Sequence, residues 1–366
     1  MQTASAPSRT LSISRLLRSP WLHPLNDASA WDALLSSINP LWSQRDFPVR
    51  VLQIIDETAD TKTFVLKANR DWPGYRAGQH VVLEVEIDGR RLHRTFSLSS
   101  SPSDGKRLSV TIKRQATSRV SGWLHAHCKV GDVLRISAPN GDFYAPELSD
   151  ASLLLLSAGS GITPMLSMLR ELLGQGHRGR IAFVHSCRTA SELIFAETLQ
   201  RTAAQFPNLE LYVHYSASAG RLDAAALSRL HPDFATFQAM VCGPSAFTDT
   251  FVELFQRAGV PERIRSESYS GRTFVRSDVP NTQHQVHCSV TKQVFTAGSS
   301  SGLLDAAEAA GMKPAHGCRI GICKTCQCLK RSGVVKNLRT GVLSAEPNEL
   351  IQLCVSAAQS PLDIAL

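Results

Sequence analysis

Four cysteines constrain this chain more than any other feature. Cys318-Arg-Ile-Gly-Ile-Cys323-Lys-Thr-Cys326 has the spacing C-x4-C-x2-C, and Cys354 follows after 27 residues. That spacing lets four thiolates hold a 2Fe-2S cluster, since soft anionic sulfur ligands suit iron. Gly317 and Gly321 allow the loop to fold closely round such a centre, with backbone N–H groups facing the sulfurs. A structural zinc site is the alternative. Zinc ribbons pair two short C-x2-C knuckles, whereas the last cysteine here stands alone. Cys328 falls outside the pattern and reads as a buried or free thiol, with a role as an alternative ligand left open.

The remaining composition excludes other classes. Nine cysteines is an odd number, and Arg15 and Arg18 interrupt every apolar run before Trp21, so neither a disulfide framework nor a secretory leader is expected. No stretch approaches the roughly 20 apolar residues of a membrane helix. These features place the chain in the cytoplasm. The net charge is +8, but no long basic tract carries it, which argues against nucleic acid as a partner.

The flanks of the cysteine loop fit one small domain. Val286 to Val290 and Lys292 to Phe295 read as a hairpin, and Ser301 to Gly311 as a helix with a glycine stop. Residues 285–366 therefore resemble a plant-type ferredoxin domain. Residues 46–147 read differently. Short runs rich in Val, Ile, Leu and Thr alternate with turns at Pro73-Gly74, Asp88-Gly89, Asp104-Gly105 and Asn140-Gly141, as in an antiparallel barrel. In the third region, 148–279, Leu153 to Leu156 lead into Gly159-Ser-Gly161-Ile-Thr163-Pro164 and a helix. This is the strand, glycine turn and helix of a dinucleotide-binding loop. Further strand–helix repeats start at Ile181, Leu209 and Ala239, the last ending in Cys242-Gly243-Pro244.

Taken together, Arg94-Thr95-Phe96-Ser97, Arg119-Val120-Ser121-Gly122, the glycine turn and Cys242-Gly243-Pro244 resemble the ferredoxin–NADP reductase superfamily. The resemblance implies a multidomain fold: an antiparallel β-barrel flavin domain, an α/β parallel-sheet nicotinamide domain and an α+β (β-grasp) 2Fe-2S ferredoxin domain. It implies FAD, with FMN the less common choice. Arg94 would neutralise the flavin phosphates, with Thr95 in the same segment. Phe96, where tyrosine is usual, would pack on the isoalloxazine, and Ser97 would bond near N5. Backbone N–H groups of Val120, Ser121 and Gly122 would cradle phosphate. Gly159, Gly161, Thr163 and Pro164 would hold the dinucleotide, and Cys242, Gly243 and Pro244 would lie under the nicotinamide. Ser97 and Cys242 are thus the implied catalytic pair. Arg188 ends the second strand of this region where NAD sites usually carry an acid, which favours NADPH over NADH. Superfamily members carry arginine there with either coenzyme, so NADH stays open. Cys318, Cys323, Cys326 and Cys354 would ligate the cluster.

The implied activity is transfer of electrons from NAD(P)H through flavin and cluster to a partner protein. Residues 1–45 hold three of the five tryptophans, and Trp31 to Trp42 reads as a short amphipathic helix. Such a helix packs on the barrel or serves as a docking or membrane-surface element, peripheral to the inner membrane. With Asn39-Pro-Leu-Trp-Ser43 and Asp60-Thr-Lys-Thr-Phe64, this extension resembles bacterial reductases that serve membrane acyl desaturases. The alternatives are a reductase for a Rieske or di-iron oxygenase, or a redox-responsive subunit of a larger complex. Residues 280–366 carry eight basic and five acidic side chains. Arg319 and Lys324 within the cysteine loop, with Lys330 and Arg331 after it, suggest a basic rim that docks on an acidic acceptor.

Overall fold

A computed structural model describes residues 47–115, 118–145, 150–269, 281–317, 319, 321, 326–338 and 341–366. The expected N-terminal helix and its membrane role lie outside the described residues.

Strands β1 (Phe47–Thr58), β2 (Thr61–Ala68), β3 (His80–Ile87), β4 (Arg90–Ser97), β5 (Arg107–Lys113) and β6 (Val133–Ile136) form an antiparallel sheet in the order β4-β3-β6-β1-β2-β5. A bridge between Leu98 and Val110 joins its two edges, closing a barrel. Alternation explains the fold: Val81, Leu83, Val85 and Ile87 of β3 enter the core, while Glu86 between the last two is exposed. The turn into β4 is Asp88-Gly89, with φ of 52° and 69°, as a two-residue hairpin of the right twist requires. Helix α1 (Arg119–His127), capped by Ser118, sets Val120 and Leu124 into the same core.

The second sheet is parallel. Strands β7 (Leu153–Ala158), β8 (Ile181–Cys187), β9 (Leu209–Tyr215), β10 (Gln238–Gly243) and β11 (Ile264–Ser268) lie in the order β11-β10-β7-β8-β9. Helices cover both faces, so Leu153 to Leu156 are buried without alternation. Helices α2 (Ile162–Gly174) and α3 (Ala196–Gln205) pack on one face. Helices α4 (Ala224–Leu230) and α5 (Ser245–Arg257) pack on the other. From β7 the chain builds outwards to β9, then returns to build β10 and β11 on the opposite side. That reversal opens a crevice at the carboxyl ends of β7 and β10. β11, a short strand of mixed polarity, is the element that the sequence reading did not locate.

The third unit holds β12 (Gln283–Cys288), β13 (Val294–Gly298), helix α6 (Leu303–Ala309), β14 (Gln327–Ser332), β15 (Val335–Asn337), β16 (Leu343–Ser344), β17 (Glu349–Gln352), β18 (Ser356–Ala358) and β19 (Leu362–Ile364). Five of its strands form a mixed sheet in the order β13-β12-β19-β14-β17, and three more form the small sheet β16-β15-β18. Leu303, Leu304 and Ala307 of α6 join Val286, Phe295 and Ile364 in the core. The expected hairpin is present with shifted ends, and the helix is shorter than 301–311 because Gly302 caps its start.

Barrel and parallel sheet are bolted together. Residues 99–103 continue directly from β4 and meet α2. Arg170 Nη1 donates to the Ser99 carbonyl at 2.8 Å, and Ser167 Oγ to the Ser100 carbonyl at 2.6 Å. Ser101 Oγ donates to the Glu171 carboxylate, as does Ser103 Oγ at 2.9 Å. Gly78 permits the approach: its φ is +104°, and a Cβ there would lie 2.4 Å from Met168 Cε.

In the third unit, Lys330 of β14 is wholly buried, its Nζ 3.0 Å from the Ser344 carbonyl and 3.2 Å from Glu349 Oε2. The Ser344 hydroxyl, then Lys330, hold the Glu349 carboxyl below its ordinary value of 4.5, against the opposing effect of desolvation. A lowered folded value means that this stabilisation is present above 4.5 and is lost as pH falls through the folded value. Glu349→Gln should therefore speed amide exchange in β14 and β17 at neutral pH. The difference from the parent chain should shrink in acid; a difference that persists there would contradict the pairing.

Candidate functional site

The flavin segment and the dinucleotide loop meet at the junction of barrel and parallel sheet. A cavity of about 310 Å³ lies there, lined by Arg94, Thr95, Phe96 and Ser97 of β4, by Ser160 and Thr163 at the start of α2, and by Tyr269 after β11. Its walls therefore come from two folding units that the 99–103 contact holds in register.

The β4 residues are placed as the sequence suggests. Arg94 faces the cavity and donates through Nη1 to the His93 carbonyl at 2.8 Å. Burial, and secondarily the positive charge of Arg319, lower its proton affinity. Thr95 Oγ1 is buried with no hydrogen-bond partner among the described residues. An orphaned hydroxyl on a cavity wall fits a site built to receive a polar ligand such as flavin. Phe96 packs against the barrel core, and Ser97 is buried.

At α1 the arrangement differs from expectation. Val120 points into the barrel core, the Ser121 amide donates to Ser118 Oγ, and the Gly122 amide to the Ser118 carbonyl. The amides of Ser121 and Gly122 are therefore engaged within the helix start. The groups that line the cavity here are Ser118 and Ser121.

On the nicotinamide side, Gly159 has φ +55°, and Gly161 packs so closely on β10 that a Cβ would lie 2.2 Å from the Cys242 carbonyl oxygen. Only glycine permits that approach. Thr163 and Pro164 are buried in the first turn of α2. Gly243 continues β10, and Pro244 starts the turn into α5. A second cavity of about 520 Å³ is lined by Gly159, Arg188 and Pro244, with Ser186, Ser216 and Arg221 beside them.

Tyr269 links the two sides. Its hydroxyl bonds to Ser97 Oγ from the barrel, and also to Cys242 and Thr163. Burial pushes both the Tyr269 phenol and the Cys242 thiol well above their ordinary values, so both are protonated at neutral pH. Ser97 and Cys242, far apart in sequence, are thus connected through one phenol. Beside them, His80 Nδ1 of the barrel stands 3.9 Å from Glu267 Oε1 of β11. Sequence reasoning missed Glu267 and Tyr269 because it missed β11. It missed His80 because a lone histidine in a strand carries no signal of its own.

In the third unit, Cys326 and Cys354 are buried, and the Cys354 amide donates to Cys326 Sγ at 3.5 Å. Positive φ at Arg319 (58°) and Gly321 (74°) curls the chain here. Cys318, Cys323 and Lys324 lie outside the described residues, and among the described residues no three ligand-type side chains cluster. Two soft sulfurs, one of them facing a backbone N–H, fit the thiolate shell of an iron–sulfur centre. Cys328 lies in the core of the sheet, and burial pushes its thiol up to about 11. The basic rim needs correction. Arg319 is bound by Glu308 at 2.8 Å and Asp305 at 3.4 Å, both on α6, and Lys330 is buried against Glu349. Neither is a loose surface charge. Asp60, part of the segment that suggested a desaturase reductase, accepts from Thr58 and Thr61 and pairs with Lys113, which is a turn-forming role.

Residues 48–144 match the family of oxidoreductase FAD-binding domains, and residues 155–253 that of oxidoreductase NAD-binding domains. An NADPH oxidoreductase of Mycobacterium tuberculosis is 33% identical over 331 residues, covering 89% of this chain and 86% of that protein. The glycine betaine monooxygenase reductase subunit of Pseudomonas aeruginosa is 31% identical over 341 residues, covering 84% and 93%. Among solved structures, phthalate dioxygenase reductase, described as a modular structure for electron transfer from pyridine nucleotides to [2Fe-2S], superposes with a TM-score of 0.60. It shares 22% identity and covers 88% of this chain and 98% of its own, a likeness of fold.

The geometry of the cysteines sets one test. Cys326→Ser and Cys354→Ser should each lose bound iron, while Cys328→Ser should retain about two irons per chain. Iron loss in Cys328→Ser with retention in Cys354→Ser would reverse the assignment.

Proposed function

The chain belongs to the ferredoxin–NADP reductase superfamily, and from that premise we propose that it carries electrons from NADPH through FAD and a 2Fe-2S cluster to an oxygenase component. The observation that carries this reading is the shared cavity in which Ser97 of the barrel meets Thr163 and Tyr269 of the parallel-sheet unit. A hydride must pass between two rings held in contact, and here two units each contribute one wall.

Bound FAD would accept the hydride and the cluster would pass electrons singly, chemistry that belongs to the cofactors. The chain's own residues bind and orient. Arg94 offers a fixed cation to the flavin phosphates, and Thr95 Oγ1 an unused hydroxyl. Phe96 supplies a packing face for the ring. The Ser97 and Tyr269 hydroxyls hold the polar edge of the cavity. The Gly159–Gly161 turn brings backbone and the start of α2 to the dinucleotide. Arg188, joined by Arg221 and Ser216, suits a 2′-phosphate and supports NADPH. Cys326 and Cys354, with Cys318 and Cys323, would hold the cluster.

The relatives' names bear on the acceptor. One is the reductase subunit of a monooxygenase, and the structural neighbour is a dioxygenase reductase. They support an oxygenase acceptor in place of the desaturase that residues 1–45 suggested. No helix among the described residues is long and apolar enough to cross a membrane.

The test uses the full chain. It should drive NADPH-dependent product formation by an oxygenase component. A membrane acyl desaturase in vesicles, assayed in parallel, should receive no electrons; turnover of the desaturase alone would overturn the acceptor assignment. Cys354→Ser should keep NADPH-to-ferricyanide activity, which flavin alone supports, and lose delivery to the oxygenase. Arg188→Ala should raise the KM for NADPH about tenfold, the worth of a charge-assisted contact, and leave that for NADH unchanged. Equal effects on both coenzymes would return Arg188 to a structural role.

A further inference from the structure

Lys113 belongs to both cavities. It ends β5 of the barrel and lines the 310 Å³ cavity beside Ser97 and Tyr269. It also lines the 520 Å³ cavity beside Gly159 and Arg188. Any dinucleotide that spans the two passes this ammonium. Yet its charge is already engaged: Nζ lies 3.3 Å from Asp60 Oδ2 and 3.3 Å from Glu192 Oε2.

The two carboxylates differ in origin. Asp60 belongs to the barrel, in the β1–β2 turn, where Thr58 and Thr61 also hold it. Glu192 belongs to the other unit. It ends a one-turn helix, Ala190–Glu192, that follows β8 and Arg188, and its amide donates to the Thr189 carbonyl at 3.1 Å. Glu192 lines the second cavity, where the other acid, Asp223, is occupied in capping α4 by accepting from the Ala226 amide at 2.7 Å. The negative charge of Glu192 also helps burial to push the nearby Cys187 thiol up. Otherwise the cavity carries cations, Arg188 and Arg221 with Lys113.

We propose that Glu192 is an affinity-setting residue that competes with the diphosphate of the nicotinamide coenzyme for Lys113. With the site empty, the Lys113–Glu192 pair spans the two units. With the coenzyme bound, the diphosphate takes the ammonium and Glu192 yields to solvent, which its one-third exposure allows. A carboxylate in a phosphate-binding cavity weakens binding by design. Binding energy spent equally on bound coenzyme and transition state does not raise turnover, and a reductase must also release its oxidised coenzyme.

The inference rests on the reading of this chain as an NADPH-dependent reductase, and the experiment separates the two. NADP+ binding to the flavin-loaded full chain is measured by calorimetry, and by competitive inhibition of NADPH-to-ferricyanide activity. Glu192→Gln, near-isosteric and partly exposed, should bind NADP+ about three- to fivefold more tightly, the ratio corresponding to a partly exposed ion pair. Lys113→Met should bind it more weakly. In the Lys113→Met background, Glu192→Gln should have lost most of its effect, because its competition acts through the ammonium. NADP+ binding by Glu192→Gln that is equal to or weaker than that of the parent chain overturns the proposal and leaves a purely structural strap. A parent chain that binds neither NADP+ nor NADPH overturns the functional reading instead.

Discussion

The contact between residues 99–103 and helix α2 governs the rest of the molecule. Strand β4 carries Arg94 to Ser97 and runs straight into those residues. Helix α2 carries the dinucleotide turn at its start and receives them through Ser167, Arg170 and Glu171. One stiff helix therefore sets the distance between the flavin segment and the nicotinamide loop. Arg170 gives the contact weight: its guanidinium is largely withdrawn from water, which lowers its proton affinity, and it is satisfied by a backbone carbonyl. A half-buried cation with a fixed partner resists sliding. The shared cavity, the Ser97–Tyr269 bond and the His80–Glu267 approach all depend on that register.

In the C-terminal unit, two of the basic residues near the cysteine loop, Arg319 and Lys330, are tied down. Arg319 is bound by two acids of α6, and Lys330 lies beneath Glu349. Arg331, by contrast, is exposed.

How much of this was legible in the sequence follows from the range of the interactions. The glycine turn, Leu153 to Leu156 and the hairpin turns are local signals with a geometric cause, and they marked the right elements. The β4 segment was singled out by its resemblance to a flavin motif, and all four of its residues line the cavity. Cys326 and Cys354 came together as the spacing implied. The losses were of two kinds. Glu267 and Tyr269 were missed because β11 is short and polar throughout after Ile264, with pairing to β10 rather than pattern holding it in the sheet. Lys113, Glu192, Arg319 and Lys330 were misjudged or passed over because a charge in a sequence does not reveal its partner. Those partners lie on other elements, 79 residues away for the first pair. At α1 the resemblance assigned amides to phosphate that Ser118 already occupies.

The central claim is that one chain takes electron pairs at the shared cavity and stores single electrons at the cysteine loop. Anaerobic titration of the purified holoprotein with NADPH tests it most directly, with flavin and iron–sulfur absorbance followed together. The account expects both to bleach, with an uptake of about three electrons per chain, two on the flavin and one on the cluster. A titration that ends after about two electrons, with the iron–sulfur bands unchanged, would contradict it.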